Sequence, residues 1–473
     1  MIYCNLAIKM LLEKRLSRQY DCLVSAMEVQ RTVVLKHLSS NRNEEIGFGR
    51  FLRNPRVLMS SILSEITKNV SHSVSGKSIL LIEDTTELGF GLHSGIKDIG
   101  KAGKDNTDGF YSHPVIVLDA NVQHCYGLAH CHIFNQNHTL KDMGLDMKAR
   151  KRLTNKIPFE NKDSYRWLES IQHAHQACHL AESMTVIADR ESDIYEALHS
   201  FKNELNIDFL IRMRINRPIE TDIKGQKIAD ILLNTPVNKS YRIKLPATDK
   251  RSKHEAELDV KWTEMLIKRP VNQLFNCLPK SIKVTVIELT EQPKTVVNHE
   301  EPIHWILLTS HKIETFEDAY KLIQWYTWRW FIEQLFRLLK TQGLNMLGST
   351  LTTYEALSKL SLLALEASVR VLQLLIARDS DTQQLIETAF SAQEIETLTV
   401  LSPTLEGNTE KLKNPYNPLE LKFAIWVIAR LAGWSGYQKQ TPPGPITLHR
   451  GLLKFKQIFE GFKIAKSIHQ RTD

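Results

Sequence analysis

The fold is decided by a short apolar stretch, SILLIED, at residues 78–84, which runs without interruption into two acidic residues. A run of this length and composition predicts a strand that is buried on both faces. Similar stretches follow at VIVLD (115–119), YGLAHCHI (126–133), MTVIAD (184–189) and FLIRMR (209–214), with helical patterns near 162–183 and 192–203. Three strands followed by helix, strand, helix and strand predict an α/β fold with a mixed β-sheet.

The pattern changes on both sides of this core. Residues 1–72 are helical in pattern and rich in basic residues, and residues 351–473 are helical almost throughout. A β-rich pattern with Pro-containing breaks lies between Pro218 and Pro302, and the strand HWILLTS (304–310) then precedes a long helix at about 315–341. We predict a helical N-terminal region (1–72), a core in two parts (73–217 and 304–350), a β-rich insertion (218–303) and a helical C-terminal domain (351–473).

The composition is that of a large globular protein. Its 473 residues, 42% hydrophobic and 24% charged, can bury several cores, which excludes a disordered tail or a small disulfide-stapled domain. A net charge of +8 and a pI of 9.0 suit a polyanion-binding protein, although many enzymes share them. Six scattered cysteines predict reduced thiols, and no uncharged apolar run reaches the ~18 residues of a membrane span, so we expect a cytoplasmic protein.

Two aspartates stand where buried strands end. Asp84 closes SILLIED and Asp189 closes MTVIAD, and the carboxyl ends of neighbouring parallel strands meet at one edge of a sheet. Each aspartate on its own has an ordinary explanation, because Asp after a strand is often a turn former or a helix N-cap.

The long helix adds four polar residues on one face. Tyr326, Arg329, Glu333 and Lys340 stand at offsets of 0, 3, 7 and 14 residues, which places them within an arc of roughly 60° on an α-helix. Apolar side chains occupy the opposite side, where a packing stripe belongs. A solvated face with an Arg329–Glu333 pair is the simpler reading, but it does not account for the tyrosine or for a lysine two turns beyond the glutamate.

These motifs together resemble a known family. The spacing Tyr-(2)-Arg-(3)-Glu-(6)-Lys, with IEDTTEL (82–88), GFYSHPVIVLD (109–119) and DRESDI (189–194), is similar to the signature of the IS4 family of bacterial DDE transposases. The resemblance covers the chain from Phe48 onward in the same order, and it continues through AIWVIARLAGW (424–434).

The resemblance implies an RNase H-like core in which Asp84, Asp189 and Glu333 bind two Mg²⁺ or Mn²⁺ ions. Hard cations of this kind prefer carboxylate oxygens, and a pair of them suits phosphodiester cleavage. It also implies that Tyr326, Arg329 and Lys340 hold phosphates and that Trp305 receives a flipped base.

The implied reaction is cut-and-paste transposition through a hairpin intermediate. The implied substrates are double-stranded transposon ends and target DNA, bound by a homodimer. The N-terminal region would recognise the terminal inverted repeats, and the C-terminal domain would dimerise. No membrane is expected. No nucleotide cofactor is expected either, because SGKS (75–78) lacks the first glycine of a phosphate loop and precedes its strand.

Two alternatives stay open at this point. One is a catalytically silent DNA-binding or dimer-forming inhibitor that retains the transposase fold. The three intact acids and the intact helix signature speak mildly against it, but the N-terminus keeps it open. The family has an early segment in which Gly-Asp is followed by spaced arginines; here MIYCNLAIKMLLEKRLSRQYDC (1–22) stands in its place, which puts end recognition in doubt. The other is an unrelated carboxylate enzyme, such as a glycoside hydrolase, that uses two acids without a metal.

Overall fold

The described part of the N-terminal region, from residue 13 onward, is helical, as its sequence predicts. The computed structural model describes residues 13–469 except for 93, 136–145, 155, 248–250, 272–276, 298–299, 341–342, 381 and 438–439. Residues 1–12 of the predicted N-terminal region, with Cys4, lie outside this range. The helices are α1 (Lys14–Gln30), α2 (Leu35–Leu38), α3 (Arg42–Arg53) and α4 (Met59–Ser73). The Asn41 side chain caps α3 by accepting a hydrogen bond from the Glu44 amide at 3.0 Å.

An eleven-stranded mixed sheet forms the centre of the described structure, which confirms the predicted α/β class. Its strands are β1 (Ser78–Glu83), β2 (Thr86–Gly89), β3 (Gly100–Ala102), β4 (Thr107–Asp119), β5 (Cys125–Phe134), β6 (Ser183–Ala188), β7 (Asp208–Arg212), β8 (Lys239–Leu245), β9 (His254–Lys268), β10 (Ser281–Glu291) and β11 (His304–Thr309). The main path runs β2-β4-β1-β6-β7-β11-β10-β9-β8, and β3 and β5 pair with β4.

Strand β1 lies inside the sheet and is buried on both faces. It pairs antiparallel with β4 and parallel with β6, and β6 pairs parallel with β7. Leu80 and Ile82 pack into one hydrophobic core, whereas Ile79 and Leu81 pack into the core on the opposite side. The uninterrupted apolar run of this strand therefore has a direct cause, because neither face meets solvent.

The β-rich segment extends this same sheet. Strands β8, β9 and β10 form an antiparallel meander, and β11 joins β10 to β7. A short helix, α8 (Ile228–Asn234), precedes β8. The other helices between strands are α5 (Met147–Thr154), α6 (Arg166–Ala177) and α7 (Tyr195–Asn203).

The predicted single helix at 315–341 is divided into two, so that prediction was wrong in its continuity. Helix α9 (Phe316–Trp328) and helix α10 (Trp330–Leu339) meet at Arg329. There the Arg329 amide donates to the Tyr326 carbonyl at 3.2 Å, and the Ile332 amide donates to the Arg329 carbonyl at 3.1 Å. Both bonds span three residues, so one tightened turn interrupts the α-helical pattern.

Four long helices form the C-terminal part: α11 (Tyr354–Asp379), α12 (Ala392–Leu405), α13 (Leu421–Leu431) and α14 (Pro445–His469). Helix α11 packs against α1, α10 and β5. It is the one described helix that is long and apolar enough to cross a membrane, and 83% of its apolar window is buried within the protein. A core helix of this composition is expected where helices surround it on several sides.

Helices α13 and α14 approach so closely that only glycine fits at one position. A Cβ atom on Gly451 would lie 1.9 Å from the Ile428 carbonyl oxygen, whereas one on Gly461 of the same helix would meet nothing within 4 Å. We expect Gly451→Ala to lower the free energy of unfolding by about 1–3 kcal/mol, because the helices must move apart. Gly461→Ala is the matched control and should raise it by roughly 0.5–1 kcal/mol. Urea denaturation measures both, and equal effects would contradict the tight crossing.

Candidate active site

The two aspartates singled out by the sequence lie at one edge of the sheet. Asp84 directly follows β1 and Asp189 directly follows β6, and the parallel register of these strands pairs Ile82 with Ile187. The aspartates therefore occupy equivalent positions, two residues beyond this pair. The Asp84 carboxylate accepts a hydrogen bond from the Thr85 amide at 2.8 Å. The Asp189 carboxylate accepts one from the Glu191 amide at 2.8 Å and so caps a short 3₁₀ turn, the ordinary role foreseen for it.

Arg329 brings Glu333 to this edge. One guanidinium nitrogen, Nη1, lies 2.8 Å from Asp84 Oδ2, and the other, Nη2, lies 2.7 Å from Glu333 Oε1. The side chains of Arg329 and Asp84 are only 17% and 18% exposed, so water screens this contact weakly. Charge-assisted bonds of this length are among the strong ones in proteins. We refer to Asp84, Asp189 and Glu333 as the acidic triad.

The charges of the triad act on one another. Burial raises the pKa of Asp84 to about 7, Arg329 opposes that rise, and the nearby charges of Asp189 and Glu333 add to it. A carboxyl group that titrates near neutral pH is common at functional sites, because such sites gather like charges in poorly solvated places.

Tyr326 and Trp305 line the same site. Tyr326 is 5% exposed, and its hydroxyl interacts by hydrogen bonding with Arg329. Its ring lies edge-to-face with Trp305 of β11, at 5.2 Å between centroids. Burial raises the pKa of Tyr326, so the hydroxyl keeps its proton and is available as a donor.

Lys340 does not join the other three residues of its predicted face. Helix α10 ends at Leu339, and Lys340 is its C-cap with a non-helical backbone. Burial lowers the pKa of Lys340, and the opposing charge beside it is Glu87 of β2. Within the described part of the chain it makes no ion pair with the triad.

Arg212 belongs to the same site, although none of the sequence motifs includes it as a site residue. It ends β7, the parallel neighbour of β6, and its side chain interacts with Tyr326 by charge and hydrogen bonding. Its guanidinium also donates to the His304 carbonyl at 3.1 Å. The signal was present in the sequence, because Arg212 ends a strand at the same sheet edge as Asp189.

The carboxylate oxygens of the triad suit a divalent cation, but the Arg329 guanidinium binds two of the three carboxylates in this structure. Three carboxylates offer the hard oxygen ligands that Mg²⁺ and Mn²⁺ prefer. Among the described residues, however, no group of three or more His, Cys, Asp or Glu side chains converges closely enough to hold a metal. At the triad the reason is visible, because the Arg329 guanidinium bridges Asp84 and Glu333. A cation bound here would compete with that guanidinium for the same oxygens.

No protein-family model matches this chain. The function is therefore inferred from the acidic site itself, together with the order and spacing of its motifs.

The raised pKa of Asp84 makes stability depend on pH. A carboxyl group whose folded pKa lies above its unfolded value favours folding below the unfolded pKa and loses that contribution as pH rises through the folded pKa. Asp84→Asn mimics the neutral acid and cannot lose this contribution. We therefore expect its free energy of unfolding, relative to that of the wild type, to be higher at pH 8 than at pH 5 by about 2 kcal/mol. Urea denaturation without divalent cations at both pH values gives this difference.

A matched control is Asp105→Asn, a surface change in the turn between β3 and β4. It should show no such gain, since the Asp105 side chain is exposed to water in the folded protein. A parallel pH dependence of wild type and Asp84→Asn would contradict the burial of charge at Asp84.

Proposed function

We propose that this protein is a DNA transposase of the IS4 family, closely similar to the transposase of Tn5. It cuts and joins DNA at terminal inverted repeats by a metal-dependent DDE mechanism and works in the bacterial cytoplasm, at the nucleoid when it is bound to DNA. The observation that carries the proposal is the Arg329 guanidinium, which joins the strand-end residue Asp84 to the helix residue Glu333, while the charge of Asp189 acts on Asp84. Carboxylates from separate parts of the chain have no structural need to lie near one another in a poorly solvated place, since their mutual repulsion is unfavourable.

The strand order supports an RNase H-like core. Strands β1, β4 and β5 form an antiparallel meander, and β6 and β7 add to β1 in parallel. The spatial order β5-β4-β1-β6-β7 is the one expected for that fold. The β-rich segment then accounts for the long connection between Asp189 and Glu333.

The residues of the site suit phosphodiester cleavage. Two divalent ions held by the triad would activate the attacking oxygen and stabilise the leaving one. Arg329 can grip two phosphate oxygens at once with its planar guanidinium. Tyr326 and Arg212 stand beside it as further donors to a phosphate. Burial of these groups strengthens each interaction with a bound strand.

Trp305 suits the hairpin intermediate. Water would first cut one strand, and the 3′-hydroxyl released would attack the opposite strand. The resulting hairpin bends the backbone sharply, which favours flipping one base out of the stack. The half-buried Trp305, packed against Tyr326, offers an aromatic surface beside that residue. Water would then open the hairpin, and the same 3′-hydroxyl would join target DNA.

A basic groove in the N-terminal region supports DNA binding. It lies between α1 and α3, has a volume of about 620 Å³, and is lined by Arg15, Arg50 and Arg56 with Glu13 as its one acidic residue. The rest of the lining consists of Leu16, Gln19, Asn43, Gly47, Phe51 and Asn54. Arginines in a concave surface suit the phosphate backbone. The C-terminal helices are the proposed dimer contact, and Ile446, Ile458 and Ile464 of α14 are exposed there.

One observation favours the silent inhibitor as the second candidate. The Arg329 guanidinium occupies two of the three acids, so a protein that kept this arrangement on DNA would bind without cutting. Cleavage by the wild-type protein separates the two candidates, and loss of cleavage in EDTA separates the transposase from a metal-free carboxylate enzyme.

Glu333→Ala tests the proposed chemistry. The substrate is DNA carrying the inverted repeats that flank the gene, incubated with Mg²⁺, and hairpin ends are counted on a denaturing gel. We expect a loss of more than about 100-fold, because even indirect partners of a metal ligand contribute 10- to 100-fold. DNA affinity should persist. Glu317→Ala on α9 is the matched control and should cleave normally. Hairpins at the wild-type rate from Glu333→Ala would remove this residue from the chemistry.

The arginine groove makes a separate prediction about salt dependence. Each phosphate contact contributes about −0.9 to the slope of log affinity against log salt on duplex DNA. The triple change of Arg15, Arg50 and Arg56 to alanine should therefore reduce that slope by about 2–3. Fluorescence anisotropy of a labelled end duplex at several salt concentrations measures it. Arg42→Ala on α3, which breaks an ion pair with Glu45, is the control. An unchanged slope would place the DNA elsewhere.

A further inference from the structure

A chain of hydrogen-bonded polar side chains lies next to Asp84. Glu83 and His113 are fully buried, and His113 Nε2 lies 3.0 Å from Glu83 Oε2. The other imidazole nitrogen, Nδ1, lies 2.8 Å from Thr85 Oγ1. Arg166 Nε donates to the same Thr85 oxygen at 3.2 Å. Four polar residues from β1, its following turn, β4 and α6 therefore form one hydrogen-bonded chain.

Arg166 fixes one of these hydrogen bonds, because a guanidinium can only donate and Thr85 Oγ1 therefore accepts from it. The Thr85 hydroxyl can then donate its own hydrogen to His113 Nδ1, and in that arrangement the neutral imidazole carries its hydrogen on Nε2, directed at Glu83. Burial lowers the pKa of His113 well below its ordinary value, in agreement with a neutral ring. The Trp167 ring packs edge-to-face on the imidazole at 4.6 Å and holds it in place.

Thr85 connects this chain to Asp84. Its amide donates to Asp84 Oδ1 at 2.8 Å, while its hydroxyl is held from two sides. The orientation of the Asp84 carboxylate thus depends on a residue whose side chain is anchored in the core.

Arg166 also connects to Asp189. Its Nη2 donates to Glu191 Oε2 at 2.9 Å, and the Glu191 amide donates to Asp189 Oδ1 at 2.8 Å. Its Nη1 donates to the Asp163 carbonyl at 2.8 Å, which fixes the guanidinium on its own segment. One arginine therefore links the turn that carries Asp84 to the turn that carries Asp189.

We propose that Arg166 and Thr85, supported by His113 and Glu83, are positioning residues that set the distance and orientation between the carboxylates of Asp84 and Asp189. Sharing a cation between two carboxylates requires their placement to within about 0.5 Å, which strand ends alone do not provide. The proposal rests on the proposed function for its meaning in catalysis. The coupling of the two turns is a property of the metal-free protein and can be measured whether or not the protein is a transposase.

The first measurement is amide hydrogen exchange of the metal-free protein. Arg166→Gln should increase exchange in both turns, 84–87 and 189–192, because it removes the link between them. Thr85→Val keeps the amide and the side-chain volume but removes the hydroxyl, and it should increase exchange at 84–87. Thr85→Ser retains the hydroxyl and should behave as the wild type. Unchanged exchange in both turns of Arg166→Gln would overturn the proposal.

The second measurement is binding of Mn²⁺ alone, followed by electron paramagnetic resonance. Thr85→Val and Arg166→Gln should weaken binding by about 10- to 100-fold, the usual effect of removing a partner of a metal ligand, with Thr85→Ser restoring it. If wild type and both variants bind Mn²⁺ equally, the positioning role is wrong and the transposase proposal stands. If the wild type binds no Mn²⁺, the metal-dependent function fails, and hydrogen exchange alone decides whether the two turns are coupled.

Discussion

The site depends on one guanidinium that holds two carboxylates from distant parts of the chain. Arg329 contacts Asp84, 245 residues away in sequence, and Glu333 one helical turn further on. The planar fork of an arginine fits two oxygens at once, and its permanent charge offsets the repulsion among three acids. Burial still prevails at Asp84, whose pKa is raised to about 7. The burial of this carboxyl therefore outweighs the charge of the neighbouring guanidinium.

The break between α9 and α10 lies at the same arginine. A continuous helix would leave Tyr326, Arg329, Glu333 and Lys340 on one face, as the helical periodicity predicts. The tightened turn at Arg329 keeps Tyr326 and Glu333 next to it, but α10 then ends at Leu339. Lys340 consequently faces Glu87 instead of the triad. The polar helix face at the site therefore includes Tyr326, Arg329 and Glu333 but does not extend to Lys340, as the sequence pattern predicts it would.

The sheet contributes both the aspartates and the means of holding them. Parallel pairing of β1 with β6 places Asp84 and Asp189 at equivalent positions, because parallel strands end together. Immediately before Asp84, Glu83 turns into the core and is fully buried. Burial raises the pKa of Glu83 well above its ordinary value. A glutamate is almost never fully buried without a partner, and His113 on the neighbouring strand supplies a hydrogen bond. The face of β1 that carries Ile79, Leu81 and Glu83 is therefore apolar along most of its length and polar only next to the site.

The sequence by itself determined the α/β class, the strands that carry the aspartates and the helical ends of the chain, because apolar periodicity is a property of neighbouring residues. Strands β2 and β3, of four and three residues, were too short to show a period. Only the tertiary structure decided that β11 joins the β-rich segment to β7, that Arg212 stands beside Tyr326, and that Arg166 links two turns. Each of these depends on how elements far apart in the chain pack on the sheet, which no local pattern contains.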